Sequence, residues 1–249
     1  MILLLDIGNT HTHLGLANSV RVTKQVNMPT SAWQRQEADR LLRDFIGKAR
    51  IEGASLCSVV PSATIAARKW AETLHGSVLL ELNFKTIRVV GIDYPKPETI
   101  GADRLANAIA VKHHFGAPSV VVDFGTAVTF DVVNRLGDYV GGIIAPGLSA
   151  MTSYLHEKTA LLPSIEIRET SAVIGRNTEE AMLIGAVHGY RGLIRGLVME
   201  LKRELKARRL PVVGTGGYAR LIGARLPEIT AVEPLLTLEG LRLLWEAHR

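Results

Sequence analysis

The chain has 249 residues, enough for one large domain or two of roughly half that length, since domains commonly run to ~100–200 residues. Apolar residues make up 47% and aromatics 5%, so a core can be buried but Leu, Val, Ile and Ala must fill it. The net charge of +5 suits anionic small molecules rather than nucleic acid, and the one cysteine, Cys57, excludes an internal disulfide and a cysteine-rich zinc site.

A strand at 2–6 comes first and a second at about 12–17, which makes the segment between them a hairpin turn. There is no basic leader, and the first apolar run is too short for a signal peptide or a membrane span, so a cytoplasmic protein with no membrane partner is expected. Apolar spacing in 31–50 predicts a helix with Leu41, Leu42, Phe45 and Ile46 on one stripe. ASLCSVVP at 54–61 reads as a buried strand ended by Pro61, with Cys57 a buried strand residue rather than a nucleophile. ATIAARKWAETLHG at 63–76 reads as a helix with a glycine stop, and SVLLEL as a strand.

Residues 91–104, GIDYPKPETIGADR, are rich in Gly, Pro and charge and read plainly as a linker. The segment ends, however, in Asp103-Arg104 just before the helical run LANAIAVKHHF, and a loop that delivers a carboxylate and a guanidinium to a helix start is suited to a site. The strand–loop–strand plan returns at 119–133, and Gly141, Gly142, Pro146 and Gly147 read as a turn-rich passage into a helix. A long helix is predicted from about 178 to 206, with Asn177 or Thr178 as N-cap and Glu179 and Glu180 in the first turn. Gly185, Gly189, Gly192 and Gly196 share one face of it. Each costs about 1 kcal/mol against alanine in a helix interior, so the stripe implies close packing on another helix, within the chain or across a dimer. The densest basic cluster, KRELKARR at 202–209, reads as the polar end of this helix. LPVVGTGGYARLI at 210–222 reads as strand, turn and helix, where Gly214, Gly216 and Gly217 permit backbone approach to a flat ligand or a phosphate.

ILLLDIGNTHTHLGL at 2–16 and SVVVDFGTAVTFDVV at 119–133 superpose Asp6 on Asp123, Gly8 on Gly125 and Thr12 on Thr129. In each, a buried strand carries an Asp to its end, and the Gly lets the backbone turn with N–H groups free to face an anion. A lone strand ending in D-x-G is an ordinary tight turn. Two copies at the same offsets imply duplicated halves, and two such turns facing each other across a cleft would clamp the phosphates of a nucleotide. His11 and His13 share one face of a strand, a pair that resembles a metal site only superficially; both are expected to face solvent or phosphate. A His13 placed near phosphate would make activity sensitive to pH near neutrality.

On these residues the chain resembles the type III pantothenate kinases, members of the superfamily that holds actin, sugar kinases and the heat-shock ATPases. The resemblance covers nearly the whole chain. It is carried by DIGNT at 6–10, YPKPETIGADRLANA at 94–108, VVDFGTAVTFDVV at 121–133, GGIIAPG at 141–147, TALLP at 159–163, IGRNTEEAM at 174–182, TGGYA at 215–219 and LTLEGL at 236–241. DxGNT is shared by the wider superfamily, whereas GADRLAN together with DFGTAVTFD is specific to this family.

The resemblance implies an α/β fold of two duplicated ribonuclease H-like domains, 1–115 and 116–249, each a mixed five-stranded sheet flanked by helices, with ATP in the cleft between them. It implies transfer of the ATP γ-phosphate to pantothenate, the first step of coenzyme A synthesis, by a homodimer that uses Mg²⁺ and a monovalent cation, K⁺ or NH₄⁺. Asp103 matches the general base, and Asp6 the residue that positions Mg²⁺ through water. The implied ATP-binding set is Asp6, Ile7, Gly8, Asn9, Thr10, His11, Thr12 and His13 with Thr126. Asp123 matches the ligand of the monovalent cation, and Tyr94, Gly101, Ala102, Asp103, Arg104 and Thr178 match pantothenate contacts.

His11 stands where the family often has Asn, His13 where Lys or another polar residue is common, and Val128 where Thr is common. Asp6, Asp103 and Asp123 are untouched, so an active enzyme is expected. Three rivals carry less. Another kinase or phosphatase of the superfamily is disfavoured by the GADR segment. A nucleotide-binding transcription accessory factor is disfavoured by the retained Asp103 and the lack of a helix-turn-helix or basic stripe. A filament protein of the actin type is disfavoured by the short chain.

Overall fold

In the computed structural model, which describes residues 1–35, 37–74 and 78–249, the first apolar run forms β1 (Ile2–Ile7), buried at every residue. β1 pairs antiparallel with β2 (His11–Ala17), which pairs antiparallel with β3 (Val22–Pro29). The predicted hairpin is therefore present. The expected helix over 31–50 is shorter: a 3-10 turn at Thr30–Trp33 precedes α1 (Ala38–Ile46). Tertiary bonds hold that turn, with Thr30 Oγ1 donating to the Gly8 carbonyl at 2.7 Å and Trp33 Nε1 to Thr12 Oγ1 at 3.1 Å. α1 ends at Gly47, whose φ of +57° suits glycine.

β4 (Gly53–Ser58) lies parallel to β1, and Pro61 is the first residue of α2 (Pro61–Glu72), where its missing N–H costs nothing. The expected glycine stop at Gly76 lies outside the described residues, as does Ser77. β5 (Val78–Glu81) runs parallel to β4, which completes the order β3-β2-β1-β4-β5. Alternation along β1 sends Leu3, Leu5 and Ile7 into a core with Leu14, Leu42, Phe45, Leu56 and Trp70, and each buried Leu contributes about 1.5–3 kcal/mol. The segment that reads as a linker carries β6 (Gly91–Ile92) and a 3-10 turn at Pro97–Thr99, and leads into α3 (Ala102–Phe115).

The second sheet repeats the plan. β7 (Ser119–Phe124) pairs antiparallel with β8 (Ala127–Val133), and β9 (Asp138–Pro146) flanks β8. β9 runs straight through Gly141, Gly142 and Pro146 rather than turning, and α4 (Leu148–Lys158) follows. The predicted 178–206 helix is α5 (Thr178–Ile184), a π-helical turn at Gly185–Gly189, and α6 (Tyr190–Glu204). Asn177 is the N-cap, its side chain accepting from the Glu180 N–H at 2.9 Å. β10 (Val212–Thr215) lies parallel to β7, α7 (Ala219–Ile222) follows, and β11 (Ala231–Val232) lies parallel to β10. The second sheet has six strands where five were expected, because β6 adds beyond β9; the other five, β9-β8-β7-β10-β11, match β3-β2-β1-β4-β5 strand for strand, so the duplication extends from motif to topology.

One detail of the superposition is corrected. Asp6 faces His13 across the first hairpin, whereas Asp123 faces Thr129 across the second. Ile7 pairs with Thr12, and Phe124 with Val128. The second turn is one residue shorter, so Thr12 corresponds to Val128 and His13 to Thr129; the one-residue slip moves every later side chain to the other face.

The chain groups into two compact units. The first holds Met1–His114, Gly137–Val140 and Leu235–Arg249; the second holds Phe115–Leu136 and Gly141–Pro234. The last piece of the first unit contains α8 (Leu236–Glu246). α8 covers the face of β1 opposite the Leu3 core: a Cβ on Gly15 would lie 3.2 Å from both Leu4 Cβ and Leu238 Cδ1. Gly240 lies so close to α3 that a Cβ there would strike the Ala106 carbonyl, and Thr237 Oγ1 donates to Asn107 Oδ1 at 2.8 Å. Among the described residues no helix is long and apolar enough to cross a membrane.

Candidate active site

In the first unit, β1 delivers Asp6 to the strand end, where the residue is only 7% exposed. His13 Nδ1 lies 2.8 Å from Asp6 Oδ2, and since a carboxylate only accepts, Nδ1 carries the hydrogen. Cys57, on the adjacent β4, donates its S–H to Asp6 Oδ1 across 3.3 Å. His13 therefore faces a carboxylate, and Asp6 is gripped from two sides.

Gly8, Asn9, Thr10 and His11 form the turn, and the last three are exposed. The Gly8 N–H is already used, donating to the His11 carbonyl at 3.0 Å, so the free donors expected of this loop do not include it. Two members of the expected ATP-binding set turn inward. Ile7 is fully buried. Thr12 is fully buried as well, its Oγ1 accepting from Trp33 and lying 3.2 Å from Thr30 Oγ1.

Burial pushes the Cys57 thiol well above its ordinary pKa, and the charges of Asp6 and Asp103 add to the effect. The thiol thus senses both carboxylates. In the unfolded chain it ionises near pH 8.5, so folded-state stability falls as pH rises above that value. The native protein is expected to react with a disulfide reagent at pH 8 far more slowly than the urea-unfolded chain; equal rates would contradict the buried, neutral thiol.

Asp103 sits in the first turn of α3, at the positive end of the helix dipole. Its Oδ1 accepts from the Arg104 N–H at 2.8 Å. Gly101 makes this possible, because a Cβ there would lie 2.5 Å from Asp103 Oδ1. Ala102 is buried, Asp103 and Arg104 are half-buried, and Tyr94 is 37% exposed. Tyr139, which sequence reasoning missed, lies beneath this group: its ring centroid is 6.2 Å from that of Tyr94, and the Arg104 guanidinium carbon is 5.7 Å from it. Thr178, the remaining expected pantothenate contact, is exposed at the start of α5 and belongs to the second unit.

In the second unit Asp123 occupies on β7 the place that Asp6 occupies on β1, and is half-buried. Gly216, with φ of +86°, presses on it: a Cβ would lie 2.5 Å from Asp123 Oδ1 and 2.8 Å from the Phe124 backbone. Thr126 is exposed at the turn, and Gly147 packs so closely that a Cβ would strike the Gly125 and Thr126 carbonyls. The loop before α5 is pinned by Glu169, which accepts two bonds from the buried Arg191 at 3.0 and 2.7 Å. That pairing holds the Glu169 carboxyl below its ordinary range, so its contribution to stability is present at neutral pH and lost as acid protonates it.

The family model described as type III pantothenate kinase matches residues 2–200. The chain belongs to that family. A type III pantothenate kinase from Methylacidiphilum infernorum is 43% identical over 98% of this chain and 88% of its own. Another, from Akkermansia muciniphila, is 44% identical over 97% of this chain and 96% of its own. Among solved structures, one described as a conserved putative Baf family transcriptional activator from Campylobacter jejuni matches with a TM-score of 0.60 at 17% identity, covering 99% of this chain and 98% of its own. A ROK hexokinase from Thermus thermophilus matches with a TM-score of 0.53 at 17% identity, covering 100% and 99%. At such identities these structures speak for the fold alone, and they agree with two α/β domains of the sugar-kinase type.

Proposed function

We propose that this family member transfers the γ-phosphoryl group of ATP to the primary hydroxyl of pantothenate, giving 4'-phosphopantothenate for coenzyme A synthesis. The observation that carries the reading is geometric: the Val59 N–H, just after β4, donates to the Ile7 carbonyl at 3.1 Å, and a Cβ on Gly101 would lie 3.6 Å from Val59 Cγ1 and 2.5 Å from Asp103 Oδ1, which brings Asp103 to the strand end that carries Asp6. Asp103 orients the pantothenate hydroxyl and accepts its proton as the oxygen bonds to phosphorus and ADP leaves. Phosphoryl transfer asks little more of a base than that positioning. Arg104 offers a forked pair of donors to a planar oxygen group of the substrate, such as its carboxylate. The exposed tip at Asn9, Thr10 and His11 and the exposed Thr126 are the phosphate contacts of the two loops.

The residues fit two cations. Asp6 is a single buried carboxylate at a strand end, which suits a Mg²⁺ ion that keeps most of its water and leans on the phosphates, where it would offset their charge. Asp123 is a half-buried carboxylate at the end of β7, an oxygen donor of the kind that suits a bound K⁺ or NH₄⁺. The protein works as a cytoplasmic homodimer in this reading. Its support is the glycine stripe: Gly185, Gly189, Gly192 and Gly196 are exposed, and a Cβ on any of them would meet nothing within 4 Å.

ADP release from the purified protein with ATP and Mg²⁺ tests the function. Release is expected to require pantothenate and to be faster in K⁺ than in Na⁺. Release without pantothenate would point to another acceptor or to water, and no release with ATP still bound would remove the kinase reading. Asp123→Ala is expected to weaken the K⁺ dependence; an unchanged K⁺ titration would move the cation elsewhere.

A further inference from the structure

Tyr139 is fully buried, and it meets the substrate loop from a segment further along the chain, through strand pairing. The four residues Gly137–Val140 belong to the first unit although the strand they begin, β9, continues into the second. They are fastened to the loop along their backbone. Gly91 and Ile92 pair with Asp138 and Tyr139, and the Asp93 N–H donates to the Tyr139 carbonyl at 2.9 Å. The Asp138 carboxylate lies over Gly91, where a Cβ would displace it. On the other side Lys112 Nζ donates to the Val89 carbonyl at 3.0 Å and lies 2.7 Å from where a Cβ on Gly137 would stand. The ring of Tyr139 is thereby fixed, and the half-buried Arg104 and the partly exposed Tyr94 rest against it.

We propose that Tyr139 is a positioning residue for pantothenate: its ring fixes the Arg104 guanidinium and the Tyr94 ring in the orientation that receives the substrate. An arginine side chain has many rotamers, and a guanidinium already held on an aromatic face has fewer of them to lose when substrate binds. Tyr139 has no exposed surface and cannot touch the substrate itself, so its effect falls on the affinity for pantothenate and not on ATP. The proposal rests on the pantothenate kinase reading.

Steady-state kinetics with pantothenate and ATP varied separately test it. If the wild-type protein does not turn over pantothenate, the functional reading fails first; if it does, the following arms judge Tyr139 alone. Tyr139→Leu is expected to raise the pantothenate KM about 10-fold, the scale of a partly desolvated cation–π contact, with the ATP KM and kcat little changed. Tyr139→Phe keeps the ring and is expected to stay near wild type. An unchanged pantothenate KM in Tyr139→Leu, an equal rise in both KM values, or a rise in Tyr139→Phe as large as in Tyr139→Leu would each overturn the proposal. Fluorinated phenylalanines at 139 keep the shape and weaken the negative face of the ring, so they decide the matter even if Tyr139→Leu does not fold. The pantothenate KM is expected to climb with each added fluorine, and a flat series would overturn the proposal.

Discussion

Asp103→Asn is expected to lower pantothenate-dependent turnover by about 10²- to 10⁴-fold, the usual range for losing a positioned general base, with ATP affinity little changed. The substitution is nearly isosteric. The amide oxygen can still accept from the Arg104 N–H, as Oδ1 does at 2.8 Å, so the start of α3 keeps its local bond. What is lost is the group that takes the proton from the attacking hydroxyl. Turnover measured under saturating ATP and pantothenate, with ATP binding followed separately by calorimetry, separates chemistry from binding. Wild-type turnover in the variant would remove Asp103 as the base.

Gly216→Ala is expected to cost about 2–4 kcal/mol of folding stability and to abolish the K⁺ response of whatever protein still folds. Two penalties combine. A φ of +86° is unfavourable for any residue with a Cβ, and the added methyl would lie 2.5 Å from Asp123 Oδ1 and 2.8 Å from the carbonyl carbon and nitrogen of Phe124. Backbone on the central strand β7 cannot yield cheaply, since Phe124 is packed in the core. Urea unfolding followed by circular dichroism reads the loss. A midpoint equal to wild type would mean that the turn relaxes freely and that Gly216 does not set the position of Asp123.

The sequence made the repeated hairpin legible because its cue is local: an apolar strand, an Asp, a glycine and a second strand recur within fifteen residues. The start of α3 was legible for the same reason, since a carboxylate beside a helical run reveals itself by spacing. Three features were not. The one-residue difference between the two turns leaves no trace in the Asp and Gly positions, and it appears only when Asp6 is seen opposite His13 and Asp123 opposite Thr129. Thr12 reads as an ATP-binding residue at the start of a strand, yet its side chain is consumed by Trp33 and Thr30, a partnership set by tertiary packing across β2 and the turn after β3. Tyr139 carries no local signal, and its place under Arg104 depends on pairing between segments more than forty residues apart. In each case local chemistry was present in the sequence, and the partner that gives it meaning was not nearby.

The return of α8 to the face of β1 bears on how the protein is made. The ribosome releases Leu4 and its neighbours long before Leu236–Glu246, the helix that shields them. Until α8 emerges β1 therefore presents a bare apolar face, while the second unit, whose residues end at Pro234, already has every segment it needs. Of the two units, the one begun first is the one completed last, and the nascent chain must keep that surface from sticking to its neighbours until α8 arrives.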